Sequence, residues 1–501
     1  MSPSSGETAG FWAIPSSWTW TRVGNVGEVG LGRQRSPINH SGPHMRPYVR
    51  AANVTWAGWD LSDVNEMNFD AADFVRFQLQ NGDVVLNEGS GSAKEVGKSA
   101  IWRNEIADCC FQNTLLRVQP KACTSEYLQA YFTLAARSGR FVSETQGVNI
   151  FHIGKDGLYR YPVPLPPLPE QRRIVAKLDA LDARAKRARA DLDRIPALVA
   201  RAKQAVLRAA LKGELTRKWR EAATGLEPVA ATLARMPEIL QSRGGREATT
   251  DVLPGQAAIS VNDPKTATPK GWEWVSLRRI ARQETGHTPS RSHPEYWDGA
   301  IAWIGIKDAG LHHGRIIEET LQTISQAGLD NSSARLLPAG TVCLSRTASV
   351  GYVTIMGKTM ATSQDFATWT CSEAIAPKYL MYALMAEGAD IRKFGEGSTH
   401  TTIYFPEIRA FHILLAPLAE QSEIVRRIES AFAKIDRIAV DAASASKLLT
   451  RLDQAILTKA FRGDLVPQDP KDEPAPSLLE RIKDASATAP RKAGGRKGKA
   501  E

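Results

Sequence analysis

"PPLPEQRRIVAKL" runs from Pro166 to Leu178, and "APLAEQSEIVRRI" runs from Ala416 to Ile428. Setting Pro167 on Pro417 fixes an offset of 250 that also brings Glu170 onto Glu420, Gln171 onto Gln421, Ile174 onto Ile424 and Val175 onto Val425. The offset still holds where "QAVLRAALKGEL" (Gln204 to Leu215) meets "QAILTKAFRGDL" (Gln454 to Leu465). A unit of about fifty residues is therefore written twice without insertion or deletion, and a repeat of this size governs how the whole chain is read.

Apolar residues in the first copy fall at Ile174, Leu178, Leu181, Ala185, Ala188, Leu192, Ile195, Val199, Ala202 and Val206. In the second they fall at Ile424, Ile428, Ala431, Ile435, Ile438, Ala442, Ala445, Leu449, Leu452 and Ile456. Steps of four and three alternate throughout, the signature of a helix-pairing seam. Each copy predicts one long helix, roughly 50 Å for about 35 residues at 1.5 Å per residue, ending near Gly213 or Gly463. Many seam positions are Ala, so the partner should approach closely, and the simplest pairing is antiparallel within the chain. Pro196 is expected to kink or split the first helix; Ser446 stands at the matching place in the second.

Weaker matches precede each helix. Trp18 and Trp20 meet Trp272 and Trp274, "NGDVVLNEG" (Asn81 to Gly89) meets "AGTVCLSRT" (Ala339 to Thr347), and "EYLQAYFTL" (Glu126 to Leu134) meets "KYLMYALMA" (Lys378 to Ala386). Their offsets drift through 254, 258 and 252, so loops differ in length over a kept framework. The expected fold class is α+β: two similar globular domains, each followed by a long helix, with the helices pairing as an antiparallel coiled coil. The expected boundaries are a first domain at 1–165, a helix at 166–220, a linker with one short helix at 221–268, a second domain at 269–415, a helix at 416–466, and a basic disordered tail at 467–501.

The chain has 501 residues, 43% hydrophobic, enough for two ordinary cores. Its five Cys show no C-x-x-C spacing, which argues against disulfides or a zinc site and suits a reducing cytoplasm. The N-terminal residues do not read as a signal peptide, and no apolar run is long enough to span a membrane. The net charge is +10; Pro166 to Arg220 holds 15 Lys/Arg against 6 Asp/Glu, and the residues from Pro490 hold 5 against 1. A basic balance placed on two segments suggests a polyanionic partner.

Catalytic signatures are missing. "GSGSAKEVGKS" (Gly89 to Ser99) fails the phosphate-loop spacing, which requires Gly where Ser92 stands. "FGEGS" (Phe394 to Ser398) lacks the glycine spacing of methyltransferases, and no Asn/Asp-Pro-Pro-aromatic tetrad follows. The His residues show no metal-ligand spacing.

In its repeated "PLPEQRRIV" and "PLAEQSEIV" phrases, the "LKGEL" and "FRGDL" helix ends and "TGHTPSRSHPEYWDGAIAWI" (Thr285 to Ile304), the chain resembles the specificity subunit of type I restriction-modification enzymes. "LPAGTVCLSRTASVG" (Leu337 to Gly351), "TSQDF" (Thr362 to Phe366), "GRQRSP" (Gly32 to Pro37), "YVRAANV" (Tyr48 to Val54) and "GDVVLNEG" (Gly82 to Gly89) add to the resemblance. It implies that each globular domain is a target-recognition domain reading one half of a split double-stranded DNA sequence, with the helix pair as a ruler between them. It also implies a non-catalytic chain that binds no cofactor. Two methyltransferase subunits would bring S-adenosylmethionine, and two restriction subunits the ATP- and Mg-dependent motor and nuclease.

Base and phosphate contacts are expected from Arg, Lys and short polar side chains in loops. The candidates are Arg33, Gln34, Arg35, Lys94 and Lys98 in the first domain. In the second they are His287, Thr288, Ser290, Arg291 and Arg346, with the run Ser398, Thr399, His400, Thr401. The four paired Trp residues read as core. Competing readings are an unrecognised methyltransferase or nuclease, a coiled-coil adaptor whose binding ignores DNA sequence, and an RNA-binding protein. The last is disfavoured by the absence of single-strand aromatic motifs.

Overall fold

The computed structural model describes residues 10–90, 92, 95–141, 151–242, 246–347, 349–395 and 402–488. Two compact units divide the chain: Met1–Leu192 with Ser444–Glu501, and Asp193–Ala443. Each holds one globular domain and a part of both long helices.

In the first unit, an antiparallel sheet is ordered Gly27–Leu31, Leu115–Pro120, Val84–Asn87, Ser99–Ile101. In the second, the same order recurs as Ala281–Thr285, Phe366–Cys371, Val342–Ser345, Val353–Met356, with Ile316–Ile317 added at the edge. The central strands are buried on both faces, which explains unbroken runs such as Val84–Asn87 instead of an alternating pattern. A helix packs against each sheet, Ser125–Arg137 in the first unit and Pro377–Glu387 in the second. A Tyr from each ties it to the strand leading into the long helix: Tyr127 Oη donates to Pro164 O (2.7 Å) and Tyr379 Oη to Leu414 O (2.6 Å).

The repeated "EQ" dipeptide fastens these pieces. Glu170 accepts the indole N–H of Trp18 at 3.0 Å, and Glu420 that of Trp272 at 2.8 Å. Gln171 accepts from the backbone of Thr124 (2.9 Å) while donating to Pro166 O (3.0 Å); Gln421 accepts from Ala376 (2.9 Å) while donating to Ala374 O and Ala416 O. Each Gln thus clamps the turn before one helix to the start of another, satisfying backbone groups that burial would otherwise leave unpaired. Burial raises the Glu170 carboxyl above the ordinary carboxylate range, opposed by its hydrogen bonds from Trp18 and Gln468.

The long helices span Leu168–Leu211 and Leu418–Arg462. In the first unit Arg173 pairs with Asp472 (2.7 Å) and Arg189 with Asp453; in the second Lys203 pairs with Asp436 (2.6 Å) and Arg220 with Glu420 (2.5 Å). Asp472 and Arg220 lie in the segments just beyond the helix ends, and in both units the residue number rises on one side as it falls on the other, so the pairing is antiparallel. Helix continues through Pro196, so of the expected kink or split the split does not occur. A proline removes a single N–H donor and need not end a helix.

Most seam residues are covered: Ile174, Ile424 and Ile428 are buried, and Leu178, Leu181, Leu192, Ile195, Val199, Ile435 and Leu449 are half-buried. Ile438 and Leu452 are corrections, being 56% and 51% exposed. At these two places the next residue, Ala439 or Asp453, is half-buried instead, while Ala442, Ala445, Leu449 and Ile456 keep the original register.

The linker and the tail carry structure of their own. Within 221–268 a helix forms at Val229–Arg235, and Ile259–Val261 enters the second unit's sheet beside Phe411–Leu415. Within the tail, Ala475–Thr488 is helical, with Ala475 buried in the first core, Leu479 and Ile482 packed against it, and Leu478 also buried. An apolar stripe at helical spacing is hidden there by Pro, Lys and Ala. Residues beyond 488 lie outside those described.

These two helices extend the repeat. "EPVAATLARM" (Glu227 to Met236) aligns with "EPAPSLLERI" (Glu473 to Ile482). Arg235 pairs with Glu227, and Arg481 with Glu473 at 3.2 Å. Val229 N donates to Gly271 O beside Trp272, and Ala475 N donates to Ser17 O beside Trp18, both at 3.0 Å. The end of each repeat therefore closes over the domain of the other.

Glu387, at the end of Pro377–Glu387, accepts four backbone N–H groups, from Gln256 through Ile259, at 2.5 to 3.1 Å. Burial pushes its carboxyl upward against their pull. Replacing Glu387 by Ala leaves buried donors unpaired and should cost about 3 kcal/mol. In thermal denaturation, a variant within ~0.5 kcal/mol of the parent would show that these bonds contribute little.

Candidate nucleic-acid interface

The second unit gathers several of the candidate residues around Gln364. The strand Ala281–Thr285 leads into an extended loop whose His287 N donates to Thr362 O (2.9 Å). Thr288 Oγ1 then donates to Gln364 Oε1 at 2.6 Å, and Arg346 Nη2 donates to Gln364 O at 3.1 Å. Asp365 fixes the turn from below, accepting from Thr347 Oγ1 (2.5 Å) and Ser363 Oγ (3.0 Å). The "TSQDF" segment is thus a scaffold that presents an exposed Gln between two candidate loops. Gln364 was missed by the sequence reading, although Gln ranks with the base-reading side chains and the motif containing it was recognised.

His287, Ser290 and Arg291 are exposed on the same loop. Ser290 Oγ and Ser292 Oγ share a 2.7 Å hydrogen bond. Arg291 lies over Trp297 (4.0 Å to the ring centroid) and donates to Gln322 (2.9 Å). Stacking on Trp pre-orders this guanidinium while leaving it accessible. Arg346 lies over Phe405 (4.6 Å), and burial lowers its affinity for its proton. The run Ser398 to Thr401 lies outside the described residues.

The first unit treats its candidates differently. The Arg33 side chain is only 15% exposed, paired with Asp73 (2.6 Å), donating to Asn39 (3.2 Å) and lying over Phe69 (5.0 Å). It ties its loop to the helix Ala71–Phe77, a structural task. The Lys98 side chain is 13% exposed and paired with Glu95. Gln34 and Arg35 are exposed, the latter donating to His40 (3.2 Å). Lys94 lies outside the described residues.

Trp18 and Trp272 are buried, as expected of core residues. Burial pushes the thiols of Cys109, Cys110, Cys123 and Cys371 up to about 12, which leaves them protonated near neutral pH. No described helix is long and apolar enough to cross a membrane.

Each unit thus carries a like-built domain joined to the long helices, and the second offers exposed polar and guanidinium-bearing loops around Gln364. The family model described as the type I restriction modification DNA specificity domain matches residues 15–193 and 269–439, and the chain belongs to that family. The type I restriction enzyme StySPI specificity subunit of Salmonella potsdam is 26% identical over 487 residues, 94% of this chain and 96% of that one. The EcoKI specificity subunit of Escherichia coli K12 is 25% identical over 508 residues, 97% of this chain and 98% of that one. The HsdS subunit of Thermoanaerobacter tengcongensis shares the fold, with a TM-score of 0.58 at 20% identity over 91% of this chain and 99% of that one.

Proposed function

We propose that the chain reads a bipartite, asymmetric double-stranded DNA target, one half-site per globular domain, and that the long helices set the spacer between the half-sites. The observation that carries this reading is one framework used twice under different loops. The Gln364-centred loops of the second unit have no copy around Arg33, so the two half-sites should differ in sequence. The chain is non-catalytic in this reading and works in the cytoplasm. It positions two methyltransferase subunits, which bring S-adenosylmethionine, and two restriction subunits, which bring ATP- and Mg-dependent activity. Gln34, Arg35, His287, Thr288, Ser290, Arg291, Arg346 and Gln364 supply contacts to bases and phosphates, while Arg33 and Lys98 support the loops behind them.

The test is co-expression with the partner methyltransferase, followed by long-read mapping of methylated bases. The expected result is a two-part motif with a fixed internal gap that disappears when this chain is omitted. Methylation that persists unchanged without it removes the specificity role and leaves a DNA-independent adaptor. Within the motif, Gln364→Ala should relax one half-site only, by about 1–3 kcal/mol at one base pair.

A further inference from the structure

The second unit contains a cavity of about 530 Å³ beside the DNA-reading loops, sharing Arg346 with them. Its walls include Gln241, Ser242 and Arg246 of the segment expected to be a linker, Gln283 to Thr285 of the strand Ala281–Thr285, and Tyr404 with the start of the helix Phe405–Arg409. The described residues flanking this wall are fastened in place. Gln241 donates to Arg278 O (2.8 Å) and Ala281 O (3.0 Å) and accepts from Gln283 N (3.0 Å); Thr249 N donates to Pro406 O (3.1 Å).

Five guanidinium groups line this cavity (Arg246, Arg278, Arg335, Arg346 and Arg409) against one carboxylate, Glu284. That carboxylate is already shared by Arg282 and Arg335, each at 3.2 Å. The side chains of Arg246 and Arg278 have neither an ion pair nor a hydrogen bond among the described residues. Two buried polar atoms in the lining also lack partners, Arg346 Nε and Gln283 Oε1, the latter on a residue 8% exposed. Tyr404, also in the lining, keeps 43% of its surface exposed. A concentration of positive charge with an unused buried donor calls for an anion, since guanidinium groups bind phosphate by paired, charge-assisted hydrogen bonds. The volume lies within the range of small-ligand pockets, about 300–1,000 Å³, and far exceeds what a bare phosphate fills.

We propose that this cavity binds a nucleoside phosphate, with Arg246 and Arg278 on the phosphate, Gln283 Oε1 accepting from a sugar or base, and the Tyr404 ring against the base. The phosphate comes either from a nucleotide of the bound DNA or from a free mononucleotide. Only the first source rests on the DNA-reading function proposed above.

The experiment uses the full-length chain and an Arg246→Ala/Arg278→Ala variant, with circular dichroism confirming that both fold alike. Calorimetric titration with adenosine monophosphate and with adenosine reads the free-nucleotide source. The expected result is that the monophosphate binds, adenosine binds at least tenfold more weakly, and the variant loses at least tenfold in affinity for the monophosphate. Titration with a duplex across salt concentrations reads the DNA source. There the variant should lower the slope of log affinity against log salt by up to ~2, about 0.9 per lost phosphate contact. Either response alone supports the pocket and identifies its source. If neither titration distinguishes variant from parent, or if adenosine binds as well as the monophosphate, the proposal is overturned. Sequence-dependent methylation that survives in such a variant leaves the specificity role standing, so the two conclusions fail separately.

Discussion

A chain ending at residue 242 is expected to form a symmetric dimer. In the full chain, Gly213 leaves room that a side chain would take from Trp272, Thr216 donates to Glu420 (2.7 Å), and Val229 N donates to Gly271 O. The shortened chain keeps these donors but loses their domain. It also leaves its own Trp18–Glu170 pocket without Phe461, Gly463 and the helix Ala475–Thr488. Donor segment and vacant pocket are copies of their full-length counterparts, so two short chains can satisfy each other in a closed, isologous contact. Phe461 alone meets Tyr127 and Tyr131, each with ring centroids 5.2 Å apart. An unpartnered half would expose that aromatic surface to water, and full burial of one such side chain stabilises by about 1.5–3 kcal/mol. Sedimentation equilibrium should give twice the chain mass at micromolar concentration. A soluble, cooperatively folding monomer would show that the exchanged helix ends are dispensable.

The second large effect is expected from Glu420→Ala. Glu420 is fully buried and accepts from Trp272 Nε1 (2.8 Å), Thr216 Oγ1 (2.7 Å) and Arg220 (2.5 Å). Removing it strands a guanidinium whose side chain is only 13% exposed and leaves two further donors unpaired. Breaking one partner of a buried pair costs about 3–5 kcal/mol. The second unit should therefore melt first, separating a transition that the parent chain shares more evenly between its units. Glu170→Ala should do less to the first unit, because Glu170 accepts from Trp18 (3.0 Å) and Gln468 (2.6 Å) and loses no cation of its own. Equal losses in both variants would contradict this account of why the two "EQ" sites differ.

The repeat was legible because a helix pair tolerates no insertion without losing register, so the offset of 250 survives intact. The strand framework was legible only in order, since loops absorb length changes. The match between the helices at 229–235 and 475–488 escaped notice because Glu227 and Glu473 align at an offset of 246, after turns of different length, and the second copy lies in a segment whose composition resembles disorder. Seam positions such as Ile174 and Ile424 could be read off, whereas nothing in the spacing sets the exposed Ile438 and Leu452 apart from their covered neighbours on the same seam. At the candidate site, residue type revealed charge without revealing its neighbours. Arg33 and Lys98 resemble Arg291 on paper, yet Asp73 and Glu95 occupy the first two while Trp297 displays the third. No local pattern announces that Asp73, forty residues away, will be the partner.

The mutual closure of the repeats has a topological consequence. Since each helix end serves the opposite domain, the chain behaves as a ring cut at one point, and its place of cutting is not structurally privileged. Gly225 lies in an exposed turn where nothing approaches within 4 Å of a built Cβ position. A circular permutant opened there, with residues 10 and 488 joined through a linker, retains every contact described within each unit. The order in which the two globular domains are encoded is then free to change, while each keeps the contacts made within its own unit.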